Sequence, residues 1–231
     1  SALTILMGDA GTAKTFLSLA CGLEQTVGED PKYRSMLVVR PNVKFDETVG
    51  FLKGSEAQKI NPLIRPIMDN LDQLTAVNSE DYGTKQGMGG KKSKFATEEA
   101  EDKIVAPNSY AQYLFDSGKI EAQAMEYMRG RSIRDRYMII DEAQNMPPLQ
   151  AFGIISRAGV GTKIILTGDP NQVDNPLLDS KTNGLTYAAN AMKGSKVCTQ
   201  ITFEESECER SELAKEAIKR MKIKGKGRES R

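Results

Sequence analysis

The chain has 231 residues, 39% of them hydrophobic, with 32 Lys and Arg against 31 Asp and Glu and no histidine. This length corresponds to about one and a half domains, and the composition suits a globular protein with a core that needs no staples. Without imidazole there can be no Ser–His–Asp triad, Cys–His nucleophile or histidine metal site, so chemistry falls to carboxylates, Lys, Arg, backbone N–H groups or a hard cation.

Leu3–Met7 reads as a short buried strand that runs into Gly8-Asp9-Ala10-Gly11-Thr12-Ala13-Lys14-Thr15. A helix follows, with Phe16, Ala20, Leu23 and Val27 spaced along one face. Cys21, beside Ala20, is expected there as a small buried hydrophobe. Met36–Val39 forms the next strand, and Asn61-Pro62-Leu63 opens a helix through Leu71 and Leu74. Residues 75–103 are polar and Gly/Lys/Glu-rich, a flexible insertion that is either plain surface or orders on nucleic acid or a neighbouring subunit. A basic cluster, Arg129-Gly130-Arg131-Ser132-Ile133-Arg134-Asp135-Arg136, directly precedes the strand Tyr137–Ile140 and has the charge to attract a phosphate backbone.

Pro147-Pro148 opens a helix carrying Leu149, Phe152, Ile154 and Ile155. Strands over Ile164–Thr167 and Val197–Phe203 and a last helix marked by Leu213, Ala217 and Met221 complete the pattern. Buried strands alternating with helices imply an α/β protein with a largely parallel sheet flanked by helices. The ten methionines are expected to fill irregular core gaps. Lys219–Arg231 holds seven basic residues and one acid, so the net charge of +1 conceals a basic tail on an acidic body. That tail, over 222–231, is either a solvated terminus or a phosphate contact. Cys21, Cys198 and Cys208 form no C-x-x-C pair, which suits a reducing, cytoplasmic setting. No apolar run approaches the ~20 residues of a membrane span. The chain begins without Met, and we expect residues 1–231 to be a single domain excised from a longer protein.

Gly8–Thr15 matches G-x-x-x-x-G-K-[ST] except at Ala13, where glycine is usual. Gly8 and Gly11 let the N–H groups of Asp9, Ala10, Thr12 and Ala13 curl toward a pyrophosphate, and the helix adds its positive dipole end. Lys14 then lies across the β- and γ-phosphates, and the Thr15 hydroxyl is a hard ligand for Mg²⁺. A Cβ at Ala13 is costly if its φ is positive. The same alanine occurs in the similar loop of replicative MCM helicases, so it is compatible with nucleotide binding.

Asp141-Glu142-Ala143-Gln144 follows Tyr-Met-Ile-Ile, and adjacent acids at the end of a buried strand need a positive partner. Asp141 is read as a member of the Mg²⁺ shell and Glu142 as the base that orients and deprotonates water. In Leu166-Thr167-Gly168-Asp169-Pro170-Asn171-Gln172 a tight turn leaves Gln172 either reaching the γ-phosphate or simply solvated.

With GDAGTAKT, VVRPN at 38–42, MRGRSI at 128–133, IIDEAQN at 139–145 and TGDPNQVDNP at 167–176, the chain resembles the PhoH-like ATPase family. It looks closest to the branch in which the ATPase follows a PIN ribonuclease domain. The resemblance implies a RecA-like P-loop NTPase fold of the superfamily one helicase type, with ATP and Mg²⁺ as cofactors. It implies phosphate and magnesium roles for Lys14 and Thr15, metal and base roles for Asp141 and Glu142, and γ-phosphate sensing by Gln172. It also implies nucleic-acid contacts for Arg40, Arg129 and Arg131, and single-stranded RNA as partner.

A lone RecA-like domain must borrow an arginine opposite the γ-phosphate. We therefore expect homo-oligomers, with a hexameric ring as one arrangement, and Arg210 or Arg157 as the borrowed group; the plainer alternative makes these surface ion pairs with Glu207 or Glu212. Two functions follow: Mg²⁺-dependent ATP hydrolysis coupled to RNA binding or unwinding, or a nucleotide-switched binding module with little hydrolysis. A small-molecule kinase is disfavoured, since nothing resembles an acceptor pocket.

Overall fold

In the computed structural model, residues 1–41, 65–74, 110–128 and 133–207 are described. Six strands appear in chain order: β1 (Leu3–Met7), β2 (Ser35–Arg40), β3 (Ile120–Ala124), β4 (Arg136–Ile140), β5 (Lys163–Gly168) and β6 (Cys198–Thr202). They form one sheet in the order β3-β2-β4-β5-β1-β6, with every pairing parallel. All carboxyl ends therefore lie along one edge. β5 separates β1 from β4, so the loop after β5 sits between the glycine-rich loop and the paired acids.

Among the described residues, five α-helices cover the two faces: α1 (Lys14–Val27), α2 (residues 65–74), α3 (Tyr110–Asp116), α4 (Pro148–Ile155) and α5 (Gly184–Ala191). Successive residues of a strand point to opposite faces, so Met36 and Val38 of β2 join Leu19 of α1, Ile67 and Leu71 of α2 and Leu114 of α3 in one cluster. Leu37 and Val39 join Ala151 and Ile154 of α4 and Leu185 and Ala188 of α5 on the other side. Burial on both faces explains why β1, β2, β4 and β5 read as continuous apolar runs rather than alternating ones, whereas β6, at the sheet edge, is largely exposed rather than buried. Met36, Met125, Met128, Met138 and Met146 are all buried, in keeping with gap filling.

Two details depart from expectation. The face of α1 that packs deepest carries Ser18, Leu19, Gly22 and Thr26, whereas Phe16, Ala20, Leu23 and Val27 flank it. Small and hydroxyl side chains let the helix lie close on the sheet, and Ser18 and Thr26 satisfy themselves by donating to the carbonyls of Lys14 and Gly22. This rotation turns Cys21 outward, so it is exposed rather than a buried hydrophobe. The second departure is β3, whose sequence Ile-Glu-Ala-Gln-Ala has too few apolar residues to be read as a strand but pairs with β2 along its whole length.

The start of the Asn61 helix, the 75–103 insertion, the Leu213–Met221 helix and the 222–231 tail lie outside the described residues. Among those described, no helix is long and apolar enough to cross a membrane.

Candidate nucleotide site

The loop between β1 and α1 takes a shape that its residues permit unequally. Gly11 has φ 90°, a conformation glycine adopts freely. At Gly8 an added Cβ would lie 2.8 Å from the Phe203 Cβ and 2.9 Å from its carbonyl oxygen, because the chain after β6 closes over the loop there. Ala13, the position that departs from the usual glycine, sits at φ 53°, ψ 18° immediately before α1. The left-handed conformation that made alanine costly there is the one it adopts.

Lys14 folds back over the loop and is only 8% exposed. Its ammonium donates to the carbonyl oxygens of Gly8 at 2.8 Å and Asp9 at 2.7 Å and to Thr12 Oγ1 at 3.0 Å. Burial pushes its pKa below the ordinary lysine value, while the carboxylates of Asp169, Glu142, Asp141 and Asp9 act to raise it. A phosphate arriving in the loop would add negative charge where this partly desolvated cation has only carbonyls and distant acids.

Asp141 lies just beyond β4, 2% exposed. Its Oδ1 accepts hydrogen bonds from Thr15 Oγ1 and from Thr167 Oγ1, both at 2.7 Å. Its Oδ2 accepts from Arg40 Nε at 2.8 Å and from a terminal guanidinium nitrogen at 2.5 Å. The pairing of Thr15 with Asp141 suits a hard cation. The hydroxyl proton is committed to the carboxylate, which leaves its lone pairs for a metal, and both donors are oxygens. Among the described residues there is no group of three or more acids or cysteines that would bind a metal without further ligands. Mg²⁺ is commonly held by one or two protein oxygens together with substrate phosphates and water.

Glu142 also adopts a left-handed conformation, φ 55° and ψ 40°. Its carboxylate faces the cleft and accepts from Gln144 Nε2 at 2.6 Å. Gln144, buried at 1% exposure, donates as well to the Gln172 carbonyl at 3.0 Å and accepts from the Asp169 N–H at 3.2 Å. Asp169 in turn accepts from the Ala10 N–H at 3.0 Å and from Asn171 N–H at 2.9 Å. The phosphate loop, the acids after β4 and the turn after β5 are thus one hydrogen-bonded unit.

These groups line a cleft of about 200 Å³ that includes Ala10, Ala13, Lys14, Thr15, Glu142 and Gln172. Sequence reading singled out these residues separately and the fold places them on one cleft, but four of their neighbours went unassigned. Thr167, Gln144 and Asp169 stand inside the quoted motifs, and only the fold reveals whom they touch. Asn70 of α2 also lines the cleft, with no local signal to mark it.

Arg40 is drawn inward onto Asp141, its side chain 22% exposed, at the carboxyl edge of β2. Arg157 stands elsewhere. Its backbone carbonyl accepts from Ile133 N–H near the amino end of β4, and its guanidinium donates to the Gly153 carbonyl. It therefore lies at the opposite edge of the sheet from the cleft. Arg129, Arg131 and Arg210 lie outside the described residues.

The family model described as PhoH-like protein matches residues 1–222 of the chain. The chain is 38% identical to Protein PhoH2 of Bacillus subtilis (strain 168) over 213 residues, covering 92% of this chain and 41% of that protein. It is 28% identical to a PhoH-like protein of the same organism, over 92% of this chain and 56% of the other. It is also 28% identical to Protein PhoH of Escherichia coli (strain K12), over 91% and 50% respectively. The chain thus spans about half the length of these relatives.

Proposed function

Because the chain belongs to the PhoH-like protein family, with an α/β P-loop fold, we propose that it hydrolyses ATP with Mg²⁺ and couples that reaction to RNA binding or unwinding. The observation that carries the hydrolytic part is the convergence of Lys14, Thr15, Asp141, Glu142 and Gln172 on a single cleft. A module that only bound nucleotide would need the lysine and the loop. It would have little use for an acid presented to the cleft and held by Gln144.

In this reading the loop N–H groups and Lys14 bind the phosphates, with Lys14 releasing its carbonyl partners to do so. Thr15 and Asp141 would hold a Mg²⁺, which would supply charge neutralisation at the phosphates. Glu142 orients a water and takes its proton, and the Gln172 carboxamide donates to the γ-phosphate. The RNA part rests on Arg129 and Arg131 by resemblance and on the basic charge of the segment that holds them.

Phosphate release by the wild type and by Glu142→Gln tests the proposal. Loss of general-base catalysis typically costs about 10²–10⁴ in rate, so the variant is expected to bind nucleotide but turn it over at least a hundredfold more slowly. Comparable, negligible rates in both proteins would favour the binding-module reading instead.

A further inference from the structure

An ionised carboxylate offers about four acceptor sites, and Asp141 uses as many: two hydroxyls on Oδ1 and two guanidinium N–H groups on Oδ2. It is saturated by the protein itself. A cation, or a water from its hydration shell, can be accepted only when one of these donors withdraws. Thr167 is fully buried within β5 and has nowhere to go. Thr15 already has its proton turned to Asp141 and its lone pairs free, so it can stay. Arg40 differs from both as the one charged donor, on a side chain that is 22% exposed. A divalent ion approaching the same carboxylate would repel it.

We infer that Arg40 is an internal counter-cation, a positioning residue that holds Asp141 in the ligand-free site and leaves Oδ2 when a divalent cation binds. The inference rests on the ATPase reading for the role of Asp141. Its physical content is an exchange of one cation for another on a buried carboxylate. Arg40 thereby lowers the affinity of the empty site for free metal. The exchange frees the Arg40 side chain, while the backbone ladder of β2 and β4 stays closed, with the Asp141 N–H on the Val39 carbonyl at 2.9 Å.

The test is a Mn²⁺ titration followed by electron paramagnetic resonance, on the whole chain without nucleotide, for wild type, R40A, R40K and D141N. Removing the competitor raises the fraction of molecules with Asp141 open. R40A is therefore expected to bind Mn²⁺ on the order of tenfold more tightly, with single-point lysine between it and wild type. D141N is expected to abolish the gain when combined with R40A. Mn²⁺ binding that is equal or weaker in both Arg40 variants would overturn the inference, as would a gain that survives D141N. Circular dichroism checks folding, and R40K decides if R40A fails to fold. Binding of a fluorescent ATP analogue with Mg²⁺ is measured in parallel. Its absence in the wild type would refute the ATPase reading, whereas nucleotide binding with Mn²⁺ affinity indifferent to residue 40 would refute the exchange alone.

Discussion

Ala13 and Glu142 both line the cleft and hold left-handed backbone conformations that L-residues pay about 1–2 kcal/mol to adopt. Such positions persist when the surroundings over-determine them, here by the start of α1 and by the short turn after β4. Ala13→Gly removes the clash at the cost of a more flexible unfolded chain, a smaller term of about 0.4–1 kcal/mol. The variant is expected to be more stable by about 0.5–1 kcal/mol, raising the melting temperature by roughly 2–3 °C. A lower melting temperature in a thermal scan would show that the alanine methyl makes a contact worth more than the strain.

Tyr137 of β4 packs against α1 at 2% exposure, edge-on to Tyr33 at 5.6 Å. Burial pushes its phenol well above the ordinary value of 10.0. A raised folded-state pKa means the stabilisation is complete below about pH 10 and drains away as pH climbs toward the folded value. Lys14 and Lys163 have the opposite sign: burial lowers both from 10.5, so their contribution grows with pH as that value is approached. Denaturant midpoints of the wild type should therefore fall more steeply above about pH 10 than those of Tyr137→Phe, which lacks the ionisable group. Parallel pH profiles for the two proteins would contradict this assignment.

At the scale of elements, α1 and the sheet meet through Gly22. A Cβ there would stand 2.5 Å from Met36 Sδ and 3.0 Å from the Tyr137 ring, both of them buried. Gly22→Ala gains about 1 kcal/mol of helix propensity, but overpacking of this kind costs about 1–3 kcal/mol. The net expectation is destabilisation by up to about 2 kcal/mol, read as a fall of several degrees in the melting temperature. An unchanged or higher value would mean that Met36 finds another rotamer.

This contact also explains what was legible in the sequence. Contiguous motifs carried the site, because a phosphate loop, a pair of acids and a turn each act within a few residues. Short apolar runs carried five of the six described strands, but helical periodicity aimed α1 by Phe16, Leu23 and Val27, when close packing had selected Ser18, Gly22 and Thr26 beside Leu19. Ile120–Ala124 was invisible because a strand next to β2 with Glu121 and Gln123 half-buried needs no apolar run. The eight residues of α5 are too short for a helical period to stand out. Long-range partners such as Gln144 with Asp169 are set by strand order, which local pattern does not encode.

For the whole molecule, the open question is where a second positive charge opposite the γ-phosphate would come from. Arg157 cannot reach the cleft of its own chain from the far edge of the sheet, so it can serve only across an interface with another copy. If a neighbour completes the site, specific ATPase activity should rise with protein concentration, by a factor of up to about 10³–10⁵ where the arginine acts as it does in other NTPases. Specific activity that stays constant over a wide dilution series would place all the necessary groups in one chain.

Strand order also sets a timetable. β1 carries the phosphate loop on its end, yet its two neighbours begin at Lys163 and Cys198, so Leu3 must wait for Ile164 and Cys198 before its ladder closes. Such distant parallel pairings are slow to form. During synthesis of this stretch the apolar Leu3–Met7 segment would remain without a partner until β5 has left the ribosome, and with one edge unpaired until β6 follows. Nucleotide can therefore stabilise only the finished sheet, and it arrives too late to guide the early steps of folding.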